Sequence, residues 1–412
     1  MSTKPALRPL DFQPVIYEGE QMWFLRDPLR LTEYQLMMPP GMAQLLPLLD
    51  GTRDMATLHA DFCTLAGETV PYTVVEQAIT QLDKALLLEN ERSQAALAEE
   101  LADYCRQPFR PPALAGISYP AGATELSDQL AAYTPSGNPN GQSLWTGRGI
   151  ISPHIDYMRG GPVYGQVWQE AVGAVAAADL VLIFGTDHNS ANNLITLTRQ
   201  PYATPFGVLP AAPDIVEQLA AAYGPEAAFA EELNHRDEHS VELSAVWLHY
   251  WLQRLGREPC PVIPILCGSF APFVLTGEHP AEYQPLNRLI AALRAVTAGR
   301  RVLAVASVDF AHVGPAFGDN FVMDAGRRDQ LLAQDKSLLA AIAAGDHARF
   351  YAEIAGIEDR NRICGFSSIY TLLRYLEDPA ETAPGGREVA YAQCPADAQN
   401  HSLVSICGYL LN

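Results

Sequence analysis

From about residue 149 onward this chain repeats one unit: a short apolar run, a polar loop, then a helix-like stretch. GIISPHIDY leads into GGPVYGQVWQEAVGAVAAA, and DLVLIFG leads into TDHN. The segment HRDEHSVE precedes PVIPILCG, LNRLIAALRAVTA precedes RVLAVASVDF, and HSLVSICGYLL reads as a last strand. Strands alternating with helices predict an α/β sandwich with a mainly parallel or mixed sheet. In open sheets of this kind ligands bind beyond the carboxyl ends of the strands. Here those ends carry histidines: His154 in ISPHIDY, His188 in IFGTDHN and His312 in ASVDFAHVG. His235 and His239 lie where HRDEHSVE opens a helical pattern, and Cys364 in RICGFSS stands just before another helix. Nine of the ten histidines fall between His154 and His401, so the chemistry belongs to the C-terminal two-thirds.

A length of 412 residues suits two or three domains. The formal net charge is -20. Such a chain repels phosphate backbones, so nucleic acid is excluded as an expected partner. The start, MSTKPALRPLDFQP, lacks a basic-then-apolar signal pattern. No run of about 18 apolar residues predicts a membrane span. Seven cysteines without a CxxC pair fit a reducing cytoplasm, with Cys260 and Cys267 as packing residues.

Residues 1–95 read as a separate module, 96–113 as a linker and 114–412 as the α/β domain. VIYEGEQMWFLRDPLR predicts a hairpin, with turns at Glu18-Gly19 and Asp27-Pro28. GMAQLLPLLDG, MATLHADFCTLAG and VPYTVVEQAITQLDKALLLEN predict three helices. ERSQAALAEELADYCRQPFRPPA predicts a polar helix running into a Pro-bearing linker, with Pro108–Pro112 as its preferred protease cut. SGNPNGQS is expected to be a loop. A hairpin with three helices suggests a winged-helix-like α+β unit. PPGMAQLLPLLDGTRDMATLHADF and the long third helix resemble the PqqD-like peptide chaperones. That resemblance implies docking of an extended peptide on the hairpin edge around Val15 to Leu25. A plain helical packing domain is the competing reading. A DNA-reading winged helix would need a basic recognition helix, and the third helix offers only Lys84.

Each chemical residue has a bland alternative. His154 faces the Gly160-Gly161 turn and reads as a ligand or as a satisfied buried histidine. Asp187 either orients a ring by accepting its N–H or caps a turn. Asp237 and Glu238 stand where the helix dipole favours acids, so Asp237 reads as a cap. Asp309 and His312 would face the same way if the chain turned helically, as an acid/base pair or part of a metal shell, with a structural hydrogen bond as the alternative. The dipole at a helix start favours a thiolate, which suits Cys364 as ligand or nucleophile. The HEXXH, GxSxG, P-loop and GxGxxG motifs are absent, which disfavours common proteases, hydrolases, NTPases and dinucleotide enzymes.

Taken in order, AGISYPAGATELSDQLAAY, PHIDYMRGGPVYG, GTDHN, DEHSVE, VIPIL, VDFAHVG, RICG and YAQC…SLVSICGYLL resemble the Memo family, including members called AmmeMemoRadiSam system protein B. The resemblance covers about residues 114–412. It implies a fold like the class III extradiol dioxygenases. It implies metal ligands at His154, His188 and Cys364, and further site residues at Asp309, His312, Glu238, His239 and Glu242. PHIDY adds a carboxylate, Asp156, beside the site. On this reading His312, supported by Asp309, acts as acid/base, with Glu238 and His239 as further catalytic candidates. The metal is a transition metal, Fe(II) first, with zinc or copper as alternatives. The system name implies a radical-SAM partner protein. Three functions stay open: a non-haem-metal oxidoreductase, a non-catalytic metal-binding and peptide-docking partner, and a zinc-dependent hydrolase.

Overall fold

A computed structural model describes residues 4–136, 145–377 and 385–412. Most of the predicted SGNPNGQS loop lies outside the described residues. The chain forms two compact units, Met1–Arg106 and Gln107–Asn412.

In the first unit, strands β1 (Asp11–Tyr17), β2 (Glu20–Arg26) and β3 (Leu36–Met38) form an antiparallel sheet in the order β1-β2-β3. The β1–β2 turn is Glu18-Gly19, both with positive φ (51° and 86°), as a two-residue hairpin demands. Helix Met55–Ala66 starts on Asp54, whose side chain accepts the Thr57 N–H, and ends at left-handed Gly67. Its Leu58 and Phe62 pack with Val75, Ile79 and Leu82 of helix Tyr72–Lys84. Two expectations shift. GMAQLLPLLDG is a short turn, Pro40–Ala43, followed by a 3-10 turn, Leu46–Leu48, because Pro47 has no N–H to donate. The third helix stops at Lys84, and Leu86 takes a left-handed φ of 56°. The polar helix expected from Glu91 is present as Glu91–Arg106.

The second unit is built on an eight-stranded mixed sheet. Its strands are β4 (Gly149–Ser152), β5 (Leu180–Thr186), β6 (Ile195–Leu197), β9 (Val262–Cys267), β10 (Val302–Ser307), β11 (His312–Val313), β12 (Gly386–Pro395) and β13 (Leu403–Leu411). The intervening β7 (Tyr202–Thr204) and β8 (Gly207–Leu209) form a separate ribbon. The order is β11-β13-β4-β10-β5-β9-β6, with β12 also on β13. Strands β4, β10, β5 and β9 run parallel, and β6, β11, β12 and β13 pair antiparallel. Burial on both faces explains the unbroken apolar runs of the parallel strands. Along β5, Leu180, Leu182 and Phe184 enter one core, while Val181 and Ile183 enter the other. The first core is closed by helices including Pro213–Tyr223, Gln284–Thr297 and Phe366–Leu376. The second is closed by Ala123–Tyr133, Tyr157–Glu170 and His239–Arg254. The helix Ala325–Ala343 buries Asp335, to which the Tyr391 hydroxyl of β12 donates at 2.7 Å.

Part of the Pro-bearing stretch expected to be a linker, around Arg110, is stitched into this unit. Arg110 N–H donates to Pro201 O at 2.8 Å, its carbonyl accepts the Ala203 N–H at 2.9 Å, and its side chain is fully buried. Backbone held in this way resists proteolysis. Among the described residues no helix is long and apolar enough to cross a membrane.

Candidate metal centre

Strands β4, β5 and β10 end side by side, and each delivers a site residue just past its carboxyl end. His154 follows β4 and is buried. Its Nδ1 lies 3.0 Å from Ser307 O at the end of β10, so Nδ1–H donates to that carbonyl and Nε2 keeps a free lone pair. Two residues past β5, His188 donates its backbone N–H to Glu238 Oε2 at 3.0 Å, and its Nδ1 stands 3.1 Å from the same carboxylate. His239 opens the helix His239–Arg254, with its Nδ1 3.1 Å from Glu238 Oε1. One buried carboxylate thus holds two imidazoles, and also accepts the Ser240 N–H as the helix cap. The rings of His188 and His239 stack at 4.7 Å, and each lies 5.1 Å from the ring of His154. One nitrogen from each of the three falls within 4.8 Å of the others.

Cys364 joins them from the loop before the helix Phe366–Leu376. Its Sγ is 2.9 Å from His154 Nε2, 4.0 Å from His188 Nε2 and 3.5 Å from Thr186 Oγ1. The loop is tied to the segment after β10, with Cys364 N–H donating to Phe310 O and Gly365 N–H to Asp309 O. Gly365 is required there, since a Cβ would come within 2.7 Å of Val308 Cβ and 2.9 Å of Asp309 O.

Asp309 and His312 both line the cavity but do not pair as predicted. Asp309 Oδ1 accepts the N–H groups of His154 and Ile155, and its Oδ2 is 3.8 Å from His154 Nε2. His312 Nδ1 instead bonds to Phe310 O and Arg362 O. The chain does not turn helically after Ser307. His312 enters β11 opposite Val404, so spacing by three does not set the two residues on one face. Asp187 caps its turn by accepting the Asn189 N–H and bonds Asn234, so Glu238, not Asp187, orients the His188 ring. The cap of the next helix is likewise Glu238 rather than Asp237, which pairs with Arg236. Asp156 caps the helix Tyr157–Glu170 and pairs with Arg159 at 2.5 Å on the cavity rim. His235 is buried against Tyr202 and Thr196 and does not reach the cavity, and Glu242 turns into the core to meet Arg110 and Tyr119.

Burial, reinforced by His188 and His239, holds His154 well below the usual imidazole range, so it is a neutral donor. Burial opposes charge on His188 too, but Glu238 and Cys364 together outweigh it and raise His188 well above that range. The Glu238 carboxyl is pushed up by burial, yet His188 and His239 together hold it far below its ordinary value. Burial lifts Asp309 to about 6 against the pull of the His154 and Ile155 amides, and lowers His312 to about 4. The site opens into a cavity of about 520 Å³ lined by the three histidines, Asp309, His312 and Arg159. A second cavity of about 370 Å³, with Phe270, Ile363 and Phe366 in its walls, reaches Cys364 from the other side.

Three histidines converging at the mouth of a cavity, past the ends of parallel strands, form an α/β site that could hold a metal ion, and the similarity to known proteins gives the family. The family model for Memo-like proteins matches residues 110–410. A MEMO1 family protein of Aquifex aeolicus is 29% identical over 338 residues, 81% of this chain and 83% of the relative. One from Thermus thermophilus is 30% identical over 314 residues, 76% and 86% respectively, and one from Methanocaldococcus jannaschii is 24% identical over 276 residues. The chain belongs to the Memo family.

Proposed function

We propose that this protein is a transition-metal protein with a non-haem redox role, working beside a radical-SAM partner in the manner implied by the name AmmeMemoRadiSam system protein B. The observation that carries the metal reading is the shared arrangement of His154, His188 and His239. Each has Nδ1 committed to an acceptor, so Nε2 is the nitrogen an ion would take, on His188 in exchange for its proton. Cys364 Sγ, close to His154 Nε2, offers a further donor. These residues fit a single ion of the borderline class, with Fe(II) as the metal we expect first and zinc or copper as the rivals. A redox-active ion held there supplies Lewis acidity and one-electron chemistry at the cavity. Around it, Asp309 fixes the His154 backbone, and His312 stays neutral at pH 7 and accepts or passes a proton within the same cavity. Cys63, Cys260, Cys267, Cys364, Cys394 and Cys407 are thiols rather than disulfides, which suits a cytoplasmic, reducing setting.

Anaerobic purification followed by metal analysis and spectroscopy tests this reading. About one transition metal per chain is the expected result, with a marked loss of occupancy in His154→Ala, His188→Ala, His239→Ala and Cys364→Ala. Full occupancy in all four variants sinks the site. Zinc as the only metal, with hydrolytic turnover, moves the reading to a hydrolase.

A second reading concerns the first unit, with its PqqD-like pattern. Its β1 strand is the outer edge of the sheet, with Phe12, Ile16 and Tyr17 exposed. A mainly apolar cavity of about 720 Å³ lies beside it, lined by Leu7, Pro9, Phe12, Trp23, Leu46 and Pro47. An extended peptide adding to that edge would find pockets for its apolar side chains. Saturable, salt-insensitive peptide binding by the full chain, lost in Phe12→Asp, is the expected result. Salt-sensitive DNA binding without peptide binding overturns it.

A further inference from the structure

We propose that Arg110 is a positioning residue of the metal centre, holding the Glu238–His239 peptide that carries both the double anchor and a ligand imidazole. The inference rests on the reading that His188 and His239 hold a metal.

The guanidinium is fully buried. Its Nε donates to His235 O at 2.9 Å and its Nη2 to Glu238 O at 2.8 Å, while Nη1 pairs with Glu242. The two carbonyls bracket the tight turn through Arg236 and Asp237. The Glu238 carbonyl belongs to the peptide plane joining Glu238 to His239. Fixing that oxygen fixes the origin of both side chains: the carboxylate that grips His188 and the ring of His239 itself. The turn is held from its other side as well, since Tyr202, over whose ring Arg110 lies at 4.9 Å, bonds His235 Nδ1 at 2.7 Å.

The far end of the device is equally closed. Glu242 accepts the N–H groups of Ala113 and Leu114 at 2.8 and 2.9 Å and the Tyr119 hydroxyl, so its charge is met on several sides. Burying such a pair contributes little net stability, because desolvation offsets the attraction, and an apolar pair would serve as well for packing. A rigid fork that reaches two carbonyls at once does what an apolar side chain cannot: it sets an orientation.

The test uses the full chain with Co(II), whose visible absorption reports ligand geometry. Arg110→Lys keeps the charge opposite Glu242 but cannot span both carbonyls. It should fold, by far-UV circular dichroism, yet bind Co(II) at least about 10-fold more weakly and with a shifted absorption band. Arg110→Gln combined with Glu242→Gln leaves no buried ion and carries the same test if the Lys variant fails to fold. As a control, Arg8→Lys alters another buried arginine, paired with Asp27 at 3.1 Å in the first unit, and should leave Co(II) binding unchanged. Native Co(II) affinity and spectrum in both Arg110 variants overturns the proposal. If the unaltered protein binds no Co(II), the metal reading falls instead. The positioning is then read from the ring-nitrogen chemical shifts of His188 and His239, which should move in Arg110→Lys and, if unmoved, overturn it.

Discussion

Glu238→Ala should weaken metal binding by about 10²–10⁴-fold. An acceptor that orients one ligand histidine is worth about 10–100-fold in affinity, and Glu238 serves two, His188 and His239. The same change removes a helix cap, which costs about 1 kcal/mol and is too little to unfold a domain of this size. Glu238→Gln keeps one acceptor oxygen and should fall between. Equilibrium dialysis against Co(II) or anaerobic Fe(II) measures all three proteins. Equal affinities would show that the rings are held by something other than this carboxylate.

Asp335→Asn should stabilise the protein at neutral pH, and less so in acid. Burial lifts the Asp335 carboxyl from 3.8 to about 6, against the opposing pull of Ser405 and Tyr391. The folded chain therefore keeps a proton that the unfolded chain has released between those values. In that window stability falls as pH rises, and above about pH 6 the whole penalty is present. At 1.36 kcal/mol per pKa unit it amounts to at most about 3 kcal/mol. Asn carries no charge and still accepts the Tyr391 hydroxyl, so it should recover up to that amount at pH 8 and about half of it at pH 5. Urea midpoints at the two pH values decide it, and a gain that is larger at pH 5 contradicts the assignment.

Much of the sheet and part of the site could be read from the residues alone, for a specific reason. Strands buried on both faces write themselves as unbroken apolar runs, so the ends of β4, β5 and β10 were visible, and with them His154, His188 and the Asp309 segment. Short strands carry no such signal. The runs ITL, YAT and GVL that form β6, β7 and β8 are too brief to show a period, and β12 alternates only weakly in burial. The pairing expected of Asp309 and His312 failed because spacing implies a shared face only where the backbone is helical, and here it is not. His239 was expected as a catalytic candidate, and the fold clusters it with His154 and His188. Glu238 was legible as a candidate through DEHSVE, but its grip on two rings depends on a loop fifty residues away. Arg110 left no trace, because a cation among prolines looks like a linker until its partners at His235, Glu238 and Glu242 are brought to it by the fold.

The strand order has a consequence for how such a protein is made. β4, the first strand of the sheet to leave the ribosome, lies between β10 and β13, both of which are synthesised much later. The segment bearing Asp309 and His312 is pinned by β13, through Phe310 N–H to Ser405 O and Ala311 N–H to Ser405 Oγ. The nascent chain must therefore carry the apolar edge of β4 uncovered until residues 403–411 emerge, and sheets closed by such distant pairings form slowly. Incomplete translation products of this protein should thus be its most aggregation-prone species, and the histidine cluster should be among the last parts of the domain to take shape.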